Sequence, residues 1–242
     1  MKLNPSAIRH NWDLNPQQAM ALQSQLSGRI IRKPTINIEE VVTVAGVDTH
    51  YQDGLALAAA VVIKLPDLET VEYATAVKKI RFPYIPGLLT FREGPAILEA
   101  LNKLVSTPDL LMFDGQGIAH PRRCGLASHI GLLLDRPSIG CAKTLLLGRY
   151  LEPGTGKGSY SHLKDRDEII GAVARTRSGV KPLFVSIGHR MNLQDSIRMV
   201  LKCCPRYRMP ETLRQADQLA RKELKKKYTQ QQTNTSTDNH FS

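Results

Sequence analysis

The order of apolar and polar residues divides the chain into a strand-rich first part and a mixed remainder. Residues 41–48, 55–64 and 70–78 are short apolar runs bounded by turn-forming residues. The third alternates, with Val71, Tyr73 and Val77 on one side and Glu72 and Lys78 on the other. The connections at 51–54 and 66–69 have hairpin length, so the three runs predict an antiparallel meander. Ahead of them, Asn15 and Pro16 mark a helix start, and Ala19, Leu22 and Leu26 continue it at helical spacing.

After the proline-rich segment 82–87, Ile97, Leu98, Leu101, Leu104 and Val105 mark the buried side of a second helix. The pattern then becomes β-α-β, with a strand at 109–113, a helix at 126–134 and a strand at 137–141. A Gly- and Lys-rich loop, 153–164, precedes a hairpin of 169–176 and 183–187 that turns at Ser178 and Gly179. Helices at 192–203 and 210–226 follow. A meander feeding parallel β-α-β units predicts an α/β fold with one mixed sheet flanked by helices. Residues 1–227 read as a single domain, and 228–242, polar and without period, as a disordered tail.

Composition narrows the class. The 242 residues are 42% hydrophobic, enough for a substantial core. No run approaches the roughly 18 apolar residues of a membrane span, and the first residues lack an apolar signal region. A cytoplasmic protein with no membrane partner is therefore expected, as a monomer. Cys124, Cys141, Cys203 and Cys204 form no C-x-x-C pair, which argues against a disulfide framework or a zinc site. Lys and Arg number 33 against 22 Asp and Glu, a formal charge of +11, which favours a polyanionic partner such as nucleic acid. Part of that excess lies in the run 221–227.

Two apolar strands end on a carboxylate, at Asp48 and at Asp114. If these strands are parallel neighbours, both carboxylates emerge at the carboxyl edge of the sheet, where open α/β sheets place their sites. Close carboxylates repel unless a cation separates them, and Mg²⁺ or Mn²⁺ suits oxygen donors. The competing use of each Asp is to cap the following turn. Glu93, in the first turn of its helix, has the competing role of complementing the helix dipole. Asp217 falls within the stripe of Leu213, Ala216, Ala220 and Leu224, where a carboxylate needs a metal or a salt bridge. Lys143 follows the strand that ends at Cys141 and can neutralise a phosphate at the same edge.

Two loops fit DNA. Phe82, Pro83, Tyr84, Ile85, Pro86 and Gly87 form a rigid apolar tip that can wedge between bases, the competing and commoner use being a buried turn packed against the core. In 115–123, glycines permit close backbone approach, and His120, Arg122 and Arg123 can meet phosphates. The run 154–159, GTGKGS, fails phosphate-loop spacing. His189 reads as a turn histidine and His129 as a packed one.

Together the segments 44–51 (VAGVDTHY), 82–95 (FPYIPGLLTFREGP), 113–143, 183–189 and 206–220 resemble the endonuclease V family, nucleases that nick DNA near deaminated purines. The resemblance implies a ribonuclease H-like fold with the fourth strand parallel to the first. It implies Asp48 and Asp114 as metal ligands for Mg²⁺, with Mn²⁺ as substitute, Glu93 completing the acidic site and Lys143 at the scissile phosphate. Tyr84 would belong to the wedge, and backbone around Gly87, Leu89 and Gly115 would line the base pocket. His120 would lie in a DNA-contacting loop. Some members carry His where this chain has Asp217, and PEPTR where it reads PETLR. The implied reaction is hydrolysis of the second phosphodiester 3′ to a deaminated purine such as deoxyinosine, leaving 3′-hydroxyl and 5′-phosphate. The rival readings are an inosine-directed ribonuclease of the same fold and a non-catalytic lesion-binding protein.

Overall fold

The computed structural model describes the backbone of residues 8–238 and the side chains of residues 8–226. The chain opens with α1 (Pro16–Ser27), where Asn15 and Gln18 form a reciprocal capping box and Pro16 occupies the first turn. The meander follows as β1 (Thr43–Gln52), β2 (Leu55–Lys64) and β3 (Glu69–Lys79), both pairings antiparallel. Next come α2 (Leu89–Asn102), β4 (Leu110–Phe113), α3 (Leu126–Leu134) and β5 (Ser138–Ala142). The antiparallel strands β6 (Tyr160–Asp165), β7 (Glu168–Ala174) and β8 (Leu183–His189) precede α4 (Leu193–Lys202) and α5 (Glu211–Asp238).

Among the described residues these strands form one eight-stranded sheet, ordered β3-β2-β1-β4-β5-β8-β7-β6. β1, β4 and β5 are parallel neighbours, the ribonuclease H-like arrangement that the family resemblance implied. Asp109 joins the first two: its Oδ2 accepts hydrogen bonds from the backbone N–H of Val42 and Thr43 and from the Thr43 hydroxyl. α2 packs its apolar side, with Ile97, Ala100 and Leu101, against Ala45, Val47, Leu111 and Phe113 on one face of the sheet. On the other face Leu213 and Ala216 of α5 pack with Val44, Leu110 and Met112. No helix among the described residues is long and apolar enough to cross a membrane.

The structure departs from the sequence expectations at four places. β1 does not stop at Asp48 but continues to Gln52, because residues 49–52 keep pairing with β2. The supposed loop 153–164 contains most of β6, the sheet's edge strand. On β3 the alternation holds, yet Val71 and Tyr73 are exposed and the small Ala74 and Ala76 are buried against the α2 side. Helical backbone continues through Asp238, over most of the segment expected to be a disordered tail; residues 239–242 lie outside the described part.

Candidate active site

The parallel partner of β1 ends before β1 does. Val47 pairs with Phe113, and the backbone N–H of Asp114 donates to Val47 O at 3.2 Å. Beyond that point β4 has turned away, and β1 keeps only β2 as a neighbour. Asp48 and Asp114 stand side by side at this notch. Asp48 is therefore a mid-strand residue placed where its neighbour stops, and not a strand-end cap.

Alternation along β1 turns Gly46, Asp48 and His50 toward α5. Gly46 is required for that approach: a Cβ there would lie 2.5 Å from the backbone carbon of Thr212. Thr212 in turn donates its hydroxyl to Val61 O at 2.9 Å. With the start of α5 seated so closely, Asp217 reaches His50, whose Nε2 lies 2.8 Å from Asp217 Oδ1 and 3.6 Å from Asp48 Oδ2. Arg221 donates to Asp217 from the exposed side at 3.1 Å. So the salt bridge considered for Asp217 exists, and the carboxylate also faces the acidic cluster.

Glu93 approaches from the opposite face of the sheet. It lies in the second turn of α2 and is buried, so the expected first-turn dipole role does not hold. The Tyr51 hydroxyl donates to Glu93 Oε1. Burial, together with the nearby Asp48 and Asp114 carboxylates, pushes the Glu93 carboxyl up to about 8, against the pull of the Tyr51 hydrogen bond and Arg92. Asp114 is raised by burial and by Asp48, although Lys143 opposes the rise. Burial also acts on Asp217, but the His50 and Arg221 hydrogen bonds outweigh it and hold this carboxyl low. The hydrogen bond with Asp48 raises the His50 imidazole.

The neighbouring carboxylates thus add to the rise of Glu93 and of Asp114, and positive side chains answer the cluster. Lys143 Nζ contacts Asp114 Oδ2 at 2.5 Å, and the Arg208 guanidinium supports the Lys143 turn by donating to its carbonyl at 2.9 Å. Hard oxygen donors crowded in this way suit a small divalent cation. Asp48, His50 and Asp217 present ligand atoms within 4.8 Å of one another. Asp114 is turned to Lys143 and Glu93 to Tyr51.

Beside the carboxylates opens a cavity of about 380 Å³, lined by Tyr84, Ile85, Pro86, Gly87, Leu89, Gly115 and His120 and also by Asp114 and Lys143. The proline-rich tip is anchored by buried Phe82, while Tyr84 stands 69% exposed. Gly87, at φ +80°, ends the tip in a conformation that favours glycine. Two donors hold its carbonyl: His120 Nε2 at 2.8 Å and the Arg122 guanidinium at 2.9 Å. His120 Nδ1 accepts from the Arg122 N–H at 3.1 Å, which leaves the proton on Nε2. Burial holds this imidazole down at about 4, so it stays neutral. Arg122 is tied onward to buried Gln23 of α1 at 2.7 Å. Arg123 pairs with Asp165 and Glu168. The cluster expected to meet phosphates therefore braces loops in this structure.

Sequence reasoning missed His50, Tyr51 and Gln23. The first was within reach, since a residue two positions from Asp48 on a strand shares its face. The others required the tertiary approach of α2 and of loop 115–123. His189 ends β8 buried, contacting Asp135 at 3.3 Å, and His129 is packed in α3 with its Nε2 2.9 Å from His10 Nε2. The four cysteines are buried free thiols.

A mixed sheet of this order, with carboxylates gathered where its parallel pair ends and a lysine beside them, is an arrangement suited to phosphodiester hydrolysis. The family model described as Endonuclease V matches residues 24–218. The endonuclease V of Roseiflexus sp. strain RS-1 is 52% identical over 209 residues, covering 86% of this chain and 93% of the relative. The crystal structure of Streptomyces avermitilis endonuclease V superposes with a TM-score of 0.86 at 44% identity, covering 91% of this chain and 98% of that one. Ciona intestinalis endonuclease V, solved with a 24mer DNA containing an inosine followed by a ribo-adenosine, gives a TM-score of 0.76 at 29% identity, covering 88% and 99%. This chain belongs to the endonuclease V family.

Proposed function

We propose that the protein is a divalent-metal-dependent DNA repair endonuclease that acts at deaminated purines such as deoxyinosine. On this reading it hydrolyses the second phosphodiester bond 3′ to the lesion, leaving 3′-hydroxyl and 5′-phosphate. The observation that carries the reading is that one cavity is lined both by the Tyr84 tip and by Asp114 and Lys143. A base displaced into it leaves its own strand lying across the carboxylates.

Tyr84, Ile85 and Pro86 enter the stack where the base leaves, and a poorly paired base costs least to displace. Gly87, Leu89 and Gly115 border the base, with backbone able to approach it closely. His120 and Arg122 keep the tip rigid by holding the Gly87 carbonyl. Lys143 brings a positive charge to the scissile phosphate. Asp48 and Asp114, with Glu93 and Asp217 around them, would hold Mg²⁺ or Mn²⁺. A divalent ion held by these residues would supply a lowered pKa for water and stabilisation of charge on the phosphate and the leaving oxygen.

The test is nicking of a duplex with one deoxyinosine at a known position. A single cut at the second 3′ phosphodiester is expected with Mg²⁺, and none with EDTA. Equal cutting in both would refute metal dependence, and tight binding without product would favour a binding protein. The ribo-adenosine beside inosine in the Ciona complex supports a second reading, cleavage of inosine-containing RNA. The 2′-hydroxyl separates the two. Matched DNA and RNA oligonucleotides, cut in parallel, decide between them.

A further inference from the structure

His50 lies inside the acidic cluster but is absent from the residues that the family resemblance marks. Its Nε2 faces two carboxylates from different elements at once, 2.8 Å from Asp217 Oδ1 and 3.6 Å from Asp48 Oδ2. A histidine that merely oriented one carboxylate would sit behind it. For Asp217 that outer place is already taken by Arg221, at 3.1 Å.

The spacing approaches that of donors around a common centre. Donors about 2.1 Å from a magnesium-sized ion lie no more than about 4.2 Å apart. The ligand atoms of Asp48, His50 and Asp217 lie within 4.8 Å of one another, so a small inward turn of the side chains brings them onto one ion. His50 and Asp48 share one face of β1, and close seating of Thr212 on Gly46 fixes α5 beside them. The backbone thus holds all three positions before any ion arrives.

We infer that His50 is a direct protein ligand of the divalent ion, adding one imidazole nitrogen to a set otherwise made of carboxylate oxygens. The inference rests on the reading that these carboxylates hold a metal. An imidazole gains little from Mg²⁺, which prefers hard oxygen donors, and more from first-row transition ions. The nitrogen therefore tilts the site toward Mn²⁺ over Mg²⁺.

The test uses the full chain without nucleic acid and Mn²⁺ alone as the probe. Pulsed EPR of the bound Mn²⁺ reads ¹⁴N coupling from a ligating imidazole. Wild-type protein should show that coupling. His50→Asn should lose it while still binding Mn²⁺, and Mg²⁺ should then displace Mn²⁺ at lower excess than from wild type. Bound Mn²⁺ without nitrogen coupling in wild type, a result that needs no variant, would overturn the inference and leave the nuclease reading standing. Coupling that persists in His50→Asn would overturn it equally. If no Mn²⁺ binds, His50 ligation and the metal reading fall together.

Discussion

Glu93 is a carboxyl set against its surroundings. It is buried, faces Asp48 and Asp114, and has its carboxyl pushed up to about 8. In the metal-free protein a raised carboxyl favours folding while it stays protonated. That contribution is full below the unfolded value and is lost as pH rises through about 8. Glu93→Gln keeps the shape and removes the titration. In EDTA, wild type should therefore lose melting temperature relative to Glu93→Gln between pH 6 and pH 9. A constant difference across that range would refute the conflict. With Mg²⁺ the variant should nick deoxyinosine DNA poorly, because a neutral amide is a weaker partner for a cation. Of this arrangement, the acidic residue types and the two apolar strands were legible in the sequence. The depth of Glu93 was not, because burial depends on how α2 meets β1.

At the scale of elements, two close fits hold the site together. The first is β1 against α5, where Gly46 leaves no room for a side chain. Gly46→Ala should cost about 1–3 kcal/mol by overpacking. It should also lower nicking at temperatures where the variant remains folded, because Asp217 moves with the helix. Gly28→Ala is the control: its Cβ meets nothing nearer than 3.9 Å, so stability and nicking should both be kept. Similar losses in the two variants would argue against the coupling. The second fit is the clamp on the Gly87 carbonyl. Arg122→Ala removes a charged donor, a contact worth about 1.5–3 kcal/mol. The ratio of kcat/KM for deoxyinosine over normal DNA should fall more than kcat itself, and an unchanged ratio would detach the clamp from recognition. Helix starts were readable because Asn15 and Asn192 supply side-chain caps. β6 was not, because it buries fully only Leu163 and follows a glycine-rich lead-in, as a polar edge strand can.

For the molecule as a whole, the charge of +11 is a coarse guide. Several arginines are spent internally. Arg123 holds Asp165 and Glu168, Arg175 pairs with Glu152 and the chain around it, Arg190 holds Asp135, and Arg208 braces the Lys143 turn. The remaining positive surface still favours a polyanion, and counterion release makes such binding fall linearly with salt on logarithmic axes. Binding to deoxyinosine duplex and to intact duplex should therefore weaken in parallel as salt rises, with their ratio nearly constant. Fluorescence anisotropy at several salt concentrations checks this, and a ratio that collapses with salt would place recognition in charge alone.

The cluster is assembled from widely separated parts of the chain, with Asp48 on the first strand and Asp217 on the last helix. During synthesis, the carboxylate on α5 joins the others only after nearly every other element has been made. A nascent chain, or one cut short before α5, carries Asp48, Glu93 and Asp114 without their fourth neighbour. The proposed cutting centre therefore stays one carboxylate short until the chain through Asp217 has been made and α5 has docked on β1.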